Sequence, residues 1–357
     1  MRQVKNVTKA TSWVVLVFSL ALLMVALPVV AEDSKQKMLL TSGINQAPIT
    51  SHLQLRTRRY YNETLSPLGV KEVKAYSFPT GAPEIQALLA GDIDFAYVGS
   101  APFVTGVANG LNAKIIAAVN TQGSDLVLKK DLPYTTPADL KGLKIATFPA
   151  GTIQDTILGD WLKKNGLDAD KDVEIIPLGL GDAITAFLAG KVDAAFLPQP
   201  SPVTIEDSGT GKIMVHSGEM EQDHACCVLV ATDDVIKNHP ELVEQVLKTH
   251  LKATEFNAAN KEEAAKHLSE LTGLNTSIIL KSFDEWDGQF VSDPAKITTS
   301  VKPLQKSRRI SDTSRRMFLI RISLIQVCGE KSRLNSKNPF FFYHSFIISH
   351  GIRPLGC

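Results

Sequence analysis

Apolar residues along this chain fall into two patterns. Short continuous apolar runs read as strands covered on both faces, and longer stretches with apolar residues three and four apart read as helices. Strands are predicted at "KMLLTSG", "VKAYSF" (Val73–Phe78), "LNAKIIAAVN", "LKIATFPAG", "VEIIPL" (Val173–Leu178) and "GKIMVHSG". A helix is predicted near Pro48–Leu65, and another over "TIQDTILGDWLKKNG", where Ile153, Ile157, Leu158, Trp161 and Leu162 share one face.

The pattern occurs twice. "ALLAGDIDFAYVGSAP" (Ala87–Pro102) and "AFLAGKVDAAFLPQP" (Ala186–Pro200) align without a gap up to Leu197. Each reads as a helix end, a glycine and an apolar strand. Gly91 and Gly190 stand where a left-handed residue ends the helix. Asp94 and Asp193 interrupt the strands and read as polar groups satisfied by neighbouring backbone. Each block extends to β-α-β-α-β-α-β, which predicts a parallel sheet with helices on both faces.

After the second block, "CCVLVAT" reads as a strand and the rest as helices. Asp233 or Asp234 is expected to cap the first helix. Asn260 with Glu263 forms a candidate capping box, and a third helix covers "TSIILKSFDEWDG". This segment has no sheet of its own and is expected to return to the first lobe. The chain would then cross between lobes twice, at "LVLKKD" (Leu126–Asp131) and at the start of "CCVLVAT". Two lobes so joined make a hinged clamshell with the carboxyl ends of both sets of strands facing one cleft.

The strand-end loops are "TSGINQAP", "PTGAP", "VGSAP" and "NTQGS" in the first lobe, and "FPAGTIQ", "LGLGD", "LPQPS" and "VHSG" in the second. They contain no Lys or Arg. Several open helices, where free backbone N–H groups and the helix dipole favour an anion. The implied ligand is a small oxyanion or a compact molecule with one anionic end. No metal or cofactor is called for, and no nucleic-acid partner.

"ALLAGDIDFAYVGSAP", "AAVNTQGSDLVLKKD", "ADLKGLKIATFPAGTIQD" and "CCVLVATDDVIKNHPELVEQVLK" together resemble the solute-binding proteins of nitrate/sulfonate/taurine-type ABC importers, over about residues 36–303. The resemblance implies a type II periplasmic-binding fold, in which two doubly wound α/β lobes are joined by two hinge strands around a ligand cleft. It implies a monomer, not an enzyme, that hands a small anionic solute to a membrane permease with a cytoplasmic ATPase. Carried over position by position, the ligand-binding candidates are Gly43, Gln46, Ser100, Asn120, Thr152 and Gln154. Related sequences serve nitrate, bicarbonate, sulfonates, taurine and thiamine precursors, so the resemblance leaves the solute open.

Charge separates the chain into three parts. Residues 1–31 carry Arg2, Lys5 and Lys9 and no acid, a charge of +3; residues 32–301 carry 24 Lys/Arg against 35 Asp/Glu, −11; residues 302–357 carry 11 basic residues against Asp312 and Glu330, +9. Together these give the net +1. The first part reads as a secretory signal peptide cleaved after Ala31, with retention as a membrane anchor the alternative. Export places the body in the periplasm or at the cell surface. Residues 32–128 are expected to form the first part of lobe one, 129–222 lobe two, and 223–303 the return to lobe one. Residues 304–357 depart from the family pattern as a basic tail, expected to be poorly ordered, and read either as a membrane- or nucleic-acid-binding tail or as a frameshifted reading. Cys226 and Cys227 read as small apolar residues opening a strand.

Two rival readings remain. "DHACC" (Asp223–Cys227) faintly resembles the cysteine-containing site of thiamine-pyrimidine synthases of the same fold. An uncleaved anchor would instead suit a membrane-anchored ligand sensor.

Overall fold

The apolar runs become strands near the expected positions. A computed structural model describes residues 39–42 and 61–297. In it β1 (Leu39–Ser42), β2 (Lys74–Ser77), β3 (Phe95–Gly99), β4 (Ala113–Thr121) and β10 (Ala225–Thr232) form one sheet, in the order β2-β1-β3-β10-β4. The second sheet contains β5 (Ser124–Lys129), β6 (Lys144–Thr147), β7 (Glu174–Pro177), β8 (Ala194–Pro198) and β9 (Gly211–His216), in the order β7-β6-β8-β5-β9. The signal-peptide region, Gly43, Gln46, most of the helix expected near Pro48–Leu65 and the basic tail lie outside the described residues.

The sheets are mixed, which corrects the expectation of wholly parallel ones. β10 runs antiparallel to β3 and β4, and β5 antiparallel to β8 and β9. The reason is geometric. Strands within a lobe run toward the cleft, whereas a strand arriving from the other lobe starts there and runs away. Apolar periodicity carries no direction, so the reversal is silent in the sequence.

The first crossing also differs from expectation. β4 ends at Thr121 and β5 begins at Ser124, so the chain changes sheets through Gln122 (φ 54°) and Gly123 (φ 91°). Two successive left-handed residues make this reversal, and the "LVLK" of the expected crossing already lies inside β5. The second crossing leads from β9 through the short helix α6 (Ser217–Met220) to β10.

The remaining helices are α1 (Gly81–Ala90), α2 (Ser100–Ala108), α3 (Ile153–Lys164), α4 (Leu180–Leu188), α5 (Ser201–Asp207), α7 (Asp233–Asn238), α8 (Pro240–Ala259), α9 (Lys261–Thr272) and α10 (Thr276–Asp284). All five predicted face residues of α3 are buried. Gly91 (φ 75°) and Gly190 (φ 69°) are left-handed as expected. The Asp193 carboxylate accepts from the Lys144 backbone N–H at 3.0 Å and pairs with Lys129 at 2.8 Å.

Two caps differ. Thr232, not Asp233 or Asp234, caps α7 by accepting from the Val235 N–H at 3.4 Å, and the two aspartates occupy the first turn, where the dipole favours them. Asn260 forms no capping box with Glu263. It closes α8 instead, its amide donating to the Phe256 carbonyl at 2.8 Å.

α7 packs on β10 and α8 on β4. Between α8 and the first sheet lies a buried polar chain. The Tyr61 and Tyr97 hydroxyls are 2.8 Å apart, Tyr97 is 3.2 Å from His250 Nδ1, and His250 Nε2 donates to the Ala118 carbonyl at 3.0 Å. Because Nε2 carries the proton, Nδ1 accepts from Tyr97. Burial lowers the His250 pKa to about 4, so it stays neutral. The return segment does not stay on the first lobe alone: α10 lies against α5 of the second, joined by Lys281–Glu206 at 2.9 Å.

Candidate functional site at the crossing strands

Both sheets send their parallel strands to the level of Gln122–Asp125, and helices start there from each side. Gly99 leads directly into α2, and Pro149–Thr152 lead from β6 into α3. These two helices, one from each half, approach one another. Their free N–H groups make this the natural seat for negative charge.

The sequence candidates within the described residues are all buried. Ser100, the first residue of α2, donates through Oγ to the Ala225 carbonyl at 2.6 Å, tying α2 to the start of β10. Asn120 sits on the other side of β10, paired with Cys227. Thr152 is the N-cap of α3, accepting from the Asp155 N–H at 3.3 Å and donating to the Pro149 carbonyl at 2.9 Å. Gln154 donates to Ser124 Oγ at 3.2 Å. The structure thus sets Ser100 and Asn120 either side of β10, and Gln154 against the first residue of β5. Thr152 is engaged within its own helix cap.

The sequence reading did not single out Gln199, Asp125 or Asp287. Gln199, in the "LPQPS" loop and joined to Pro200 by a cis peptide bond, has its backbone N–H on the Gly123 carbonyl at 2.9 Å, and its amide donates to the Asp125 carboxylate. Asp125 is itself buried and binds His216 Nδ1 at 2.8 Å. Burial pushes Asp125 up to about 6 against the pull of His216, while the bond to Asp125 raises His216 to about 9. Between those values the pair is a carboxylate and a half-buried imidazolium. Asp287 accepts from the Gly123 N–H at 3.3 Å and the Gly218 N–H at 2.6 Å, so one carboxylate holds the approaches to both crossings. A buried acid interrupting the apolar run "SDLVLK" was the available signal for Asp125; nothing local marks Asp287.

Three buried amides converge on this segment with the same habit. Asn120 donates to the Gln122 carbonyl (3.5 Å), Gln154 to Ser124 and Gln199 to Asp125. Each leaves its amide oxygen buried without a hydrogen-bond partner among the described residues.

The NMT1-like family is matched over residues 43–271, more than half of the chain. The chain belongs to this family. A Brucella abortus binding protein is 30% identical over 189 residues, 52% of this chain and 58% of that one, so the chain spans less than two thirds of that relative. A Bacillus subtilis protein named for binding aliphatic sulfonates is 27% identical over 249 residues, 69% of this chain and 74% of its own. The solved structure of the alkanesulfonate-binding protein SsuA from Xanthomonas axonopodis pv. citri bound to MOPS superposes with a TM-score of 0.66 at 19% identity, covering 79% of this chain and 94% of that one. These likenesses give this family member the periplasmic-binding fold with two sheets flanking the crossings. Among the described residues no helix is long and apolar enough to cross a membrane.

Proposed function

We propose that this protein is an extracytoplasmic solute-binding protein that closes its two lobes on a small anionic solute and delivers it to an ABC permease and its ATPase. The observation that carries the reading is the contact between α2 and α3, two helices that each begin at a strand end of opposite halves, beside a crossing segment lined by buried amides. Such a site favours an oxyanion through fixed dipoles, with no Lys or Arg in the strand-end loops. Ser100, Asn120, Thr152 and Gln154 are the proposed ligand-binding residues among those described, and Gly43 and Gln46, outside the described residues, complete the proposed set. The names of the relatives, sulfonate binders among them, support the same solute class.

Capture and release make and break no covalent bond, so the proposed role is binding and not catalysis. The enzyme reading leaned on Cys226 and Cys227, which lie buried within β10 with their sulfurs 3.7 Å apart.

Thermal unfolding of the ligand-stripped protein with nitrate, bicarbonate, taurine, alkanesulfonates, sulfate and a thiamine pyrimidine tests the proposal. A true ligand at a hundredfold over its Kd stabilises by about 2.7 kcal/mol, a readily visible shift in Tm. A cooperative melt that no anion in the panel moves would count against it.

A further inference from the structure

The unpartnered amide oxygens say more about the solute than the helix ends do. A buried acceptor with no donor is costly, and turning the amide over is the usual remedy. Here it fails for two of the three. Turning Asn120 would set its oxygen against the Gln122 carbonyl, and turning Gln199 would set its oxygen against the Asp125 carboxylate. Both orientations are therefore held by acceptors already in place. Gln154 is held less firmly, because the Ser124 hydroxyl can donate as well as accept. Asn120 belongs to the first sheet and Gln199 follows a strand of the second, so each half contributes one fixed acceptor.

The twin sheet shows that this arrangement is not required by the fold. With the repeat aligned, Ser100 corresponds to Gln199. Val98 pairs with Val228 as Leu197 pairs with Asp125, and Val228 pairs with Ala118 as Asp125 pairs with His216. The first sheet thus manages with Ser100, Val228 and Ala118 where the second places Gln199, Asp125 and His216. Asp125 acts as a positioning residue: it fixes the amide of Gln199 and leaves the oxygen to be used.

We propose that the solute is a zwitterion, its oxyanion held at the helix N-termini and a donor-bearing group, such as an ammonium, received by the amide oxygens of Asn120 and Gln199. This rests on the anion-capture reading above and narrows it. Donor-free anions such as nitrate would leave both oxygens unanswered, and the strand-end loops hold no Lys or Arg to repel an ammonium; the half-buried His216 imidazolium is paired with the Asp125 carboxylate.

The test is calorimetric titration of the full chain, stripped of ligand, with taurine and with 1-propanesulfonate, which keeps the sulfonate and chain length and replaces the ammonium by a methyl. Taurine is expected to bind about tenfold or more tightly. Gln199→Met and Asn120→Leu should each remove most of that preference by weakening taurine alone. Should either fail to fold, the test passes to the ligand: N,N,N-trimethyltaurine, whose ammonium has no N–H to donate, should bind the wild-type chain no better than 1-propanesulfonate. Equal binding of the two sulfonates, or variants that leave their ratio unchanged, overturns the inference while anion capture stands. Binding of neither compound or any other anion overturns the capture reading and the inference with it.

Discussion

The two sheets have the same strand order and the same antiparallel fourth strand, yet they place polar groups in opposite regions. In the first sheet the buried polar chain Tyr61–Tyr97–His250 lies under the strands against α8, away from the crossings. In the second, Tyr97 is matched by Phe196, which packs in an apolar cluster beside Thr147, whose hydroxyl donates to the Phe196 carbonyl, while Asp125, His216 and Gln199 stand at the strand ends. The two histidines show the contrast. Burial keeps His250 neutral, whereas the Asp125 carboxylate keeps His216 charged. Since one frame tolerates either choice at each position, the frame follows from apolar periodicity, and the departures between twins mark groups kept for another reason.

The largest effect should come from breaking the second sheet's pair. Asp125→Ala leaves the Gln199 amide donors buried without a partner and is expected to cost roughly 3 kcal/mol in denaturant unfolding. Rebuilding the first sheet's solution instead, with Asp125→Val, His216→Ala and Gln199→Ser together, should return stability to within about 1 kcal/mol of wild type, because the ion pair and the amide that depends on it are removed as a unit. A triple variant as unstable as the single one would show these groups to be part of the frame, and the comparison would fail.

Acid should distinguish the first sheet next. Unfolded histidine takes up a proton below about pH 6.5, but His250 in the fold does so only near pH 4. The unfolded state therefore binds more protons between these values, and stability falls as pH drops through 6.5. From pH 7 to pH 5 this group removes about 2 kcal/mol. The stability gap between wild type and His250→Asn should narrow by that amount, since asparagine does not titrate. For His216 the sign reverses: its folded pKa is raised, so its contribution is complete below about 6.5 and is lost as pH rises through 9.

How much of this the sequence discloses depends on whether the cause is local. The α3 face, the left-handed Gly91 and Gly190 and the near-repeat were legible because periodicity and helix ends are written in neighbouring residues. The reversed β5 and β10 were not, because their direction depends on which lobe the chain has just left. Ser100, Asn120 and Gln154 could be named from family-like loops, but their roles come from partners 125, 2 and 30 residues away. The Asp125–His216 contact spans 91 residues, and a lone histidine in "VHSG" reads as a surface group until its partner is seen.

A smaller effect separates Tyr97 from its counterpart Phe196. Tyr97→Phe removes the donor to His250 and a partner of Tyr61, and should cost about 1–2 kcal/mol. Phe196→Tyr should cost a similar amount for the opposite reason, since its new hydroxyl would enter that apolar cluster. If Phe196→Tyr were neutral, the second sheet would have polar capacity that the comparison denies it.

The smallest expected change in stability belongs to the element the two halves share. Trp286–Gln289 follow α10 and lie along the end of β4: Trp286 Nε1 donates to the Thr121 carbonyl at 3.1 Å, and the Gln122 amide donates to the Asp287 carbonyl at 2.7 Å. Asp287 then joins Gly123 to Gly218 through its carboxylate. Asp287→Ala loses two charge-assisted bonds in a partly solvated setting, about 1 kcal/mol in all. Because both crossings meet at this carboxylate, its loss should act on closure more than on folding. Ligand release, followed by stopped-flow fluorescence of the protein's tryptophans, should quicken several-fold while the melting temperature hardly moves. Gly288→Ala should act more strongly in the same direction, because a Cβ there would stand 2.0 Å from the Thr121 carbonyl oxygen and force the turn off the strand. If release is unchanged in both variants, hinge motion does not pass through this turn, and the halves are coupled by the two crossing segments alone.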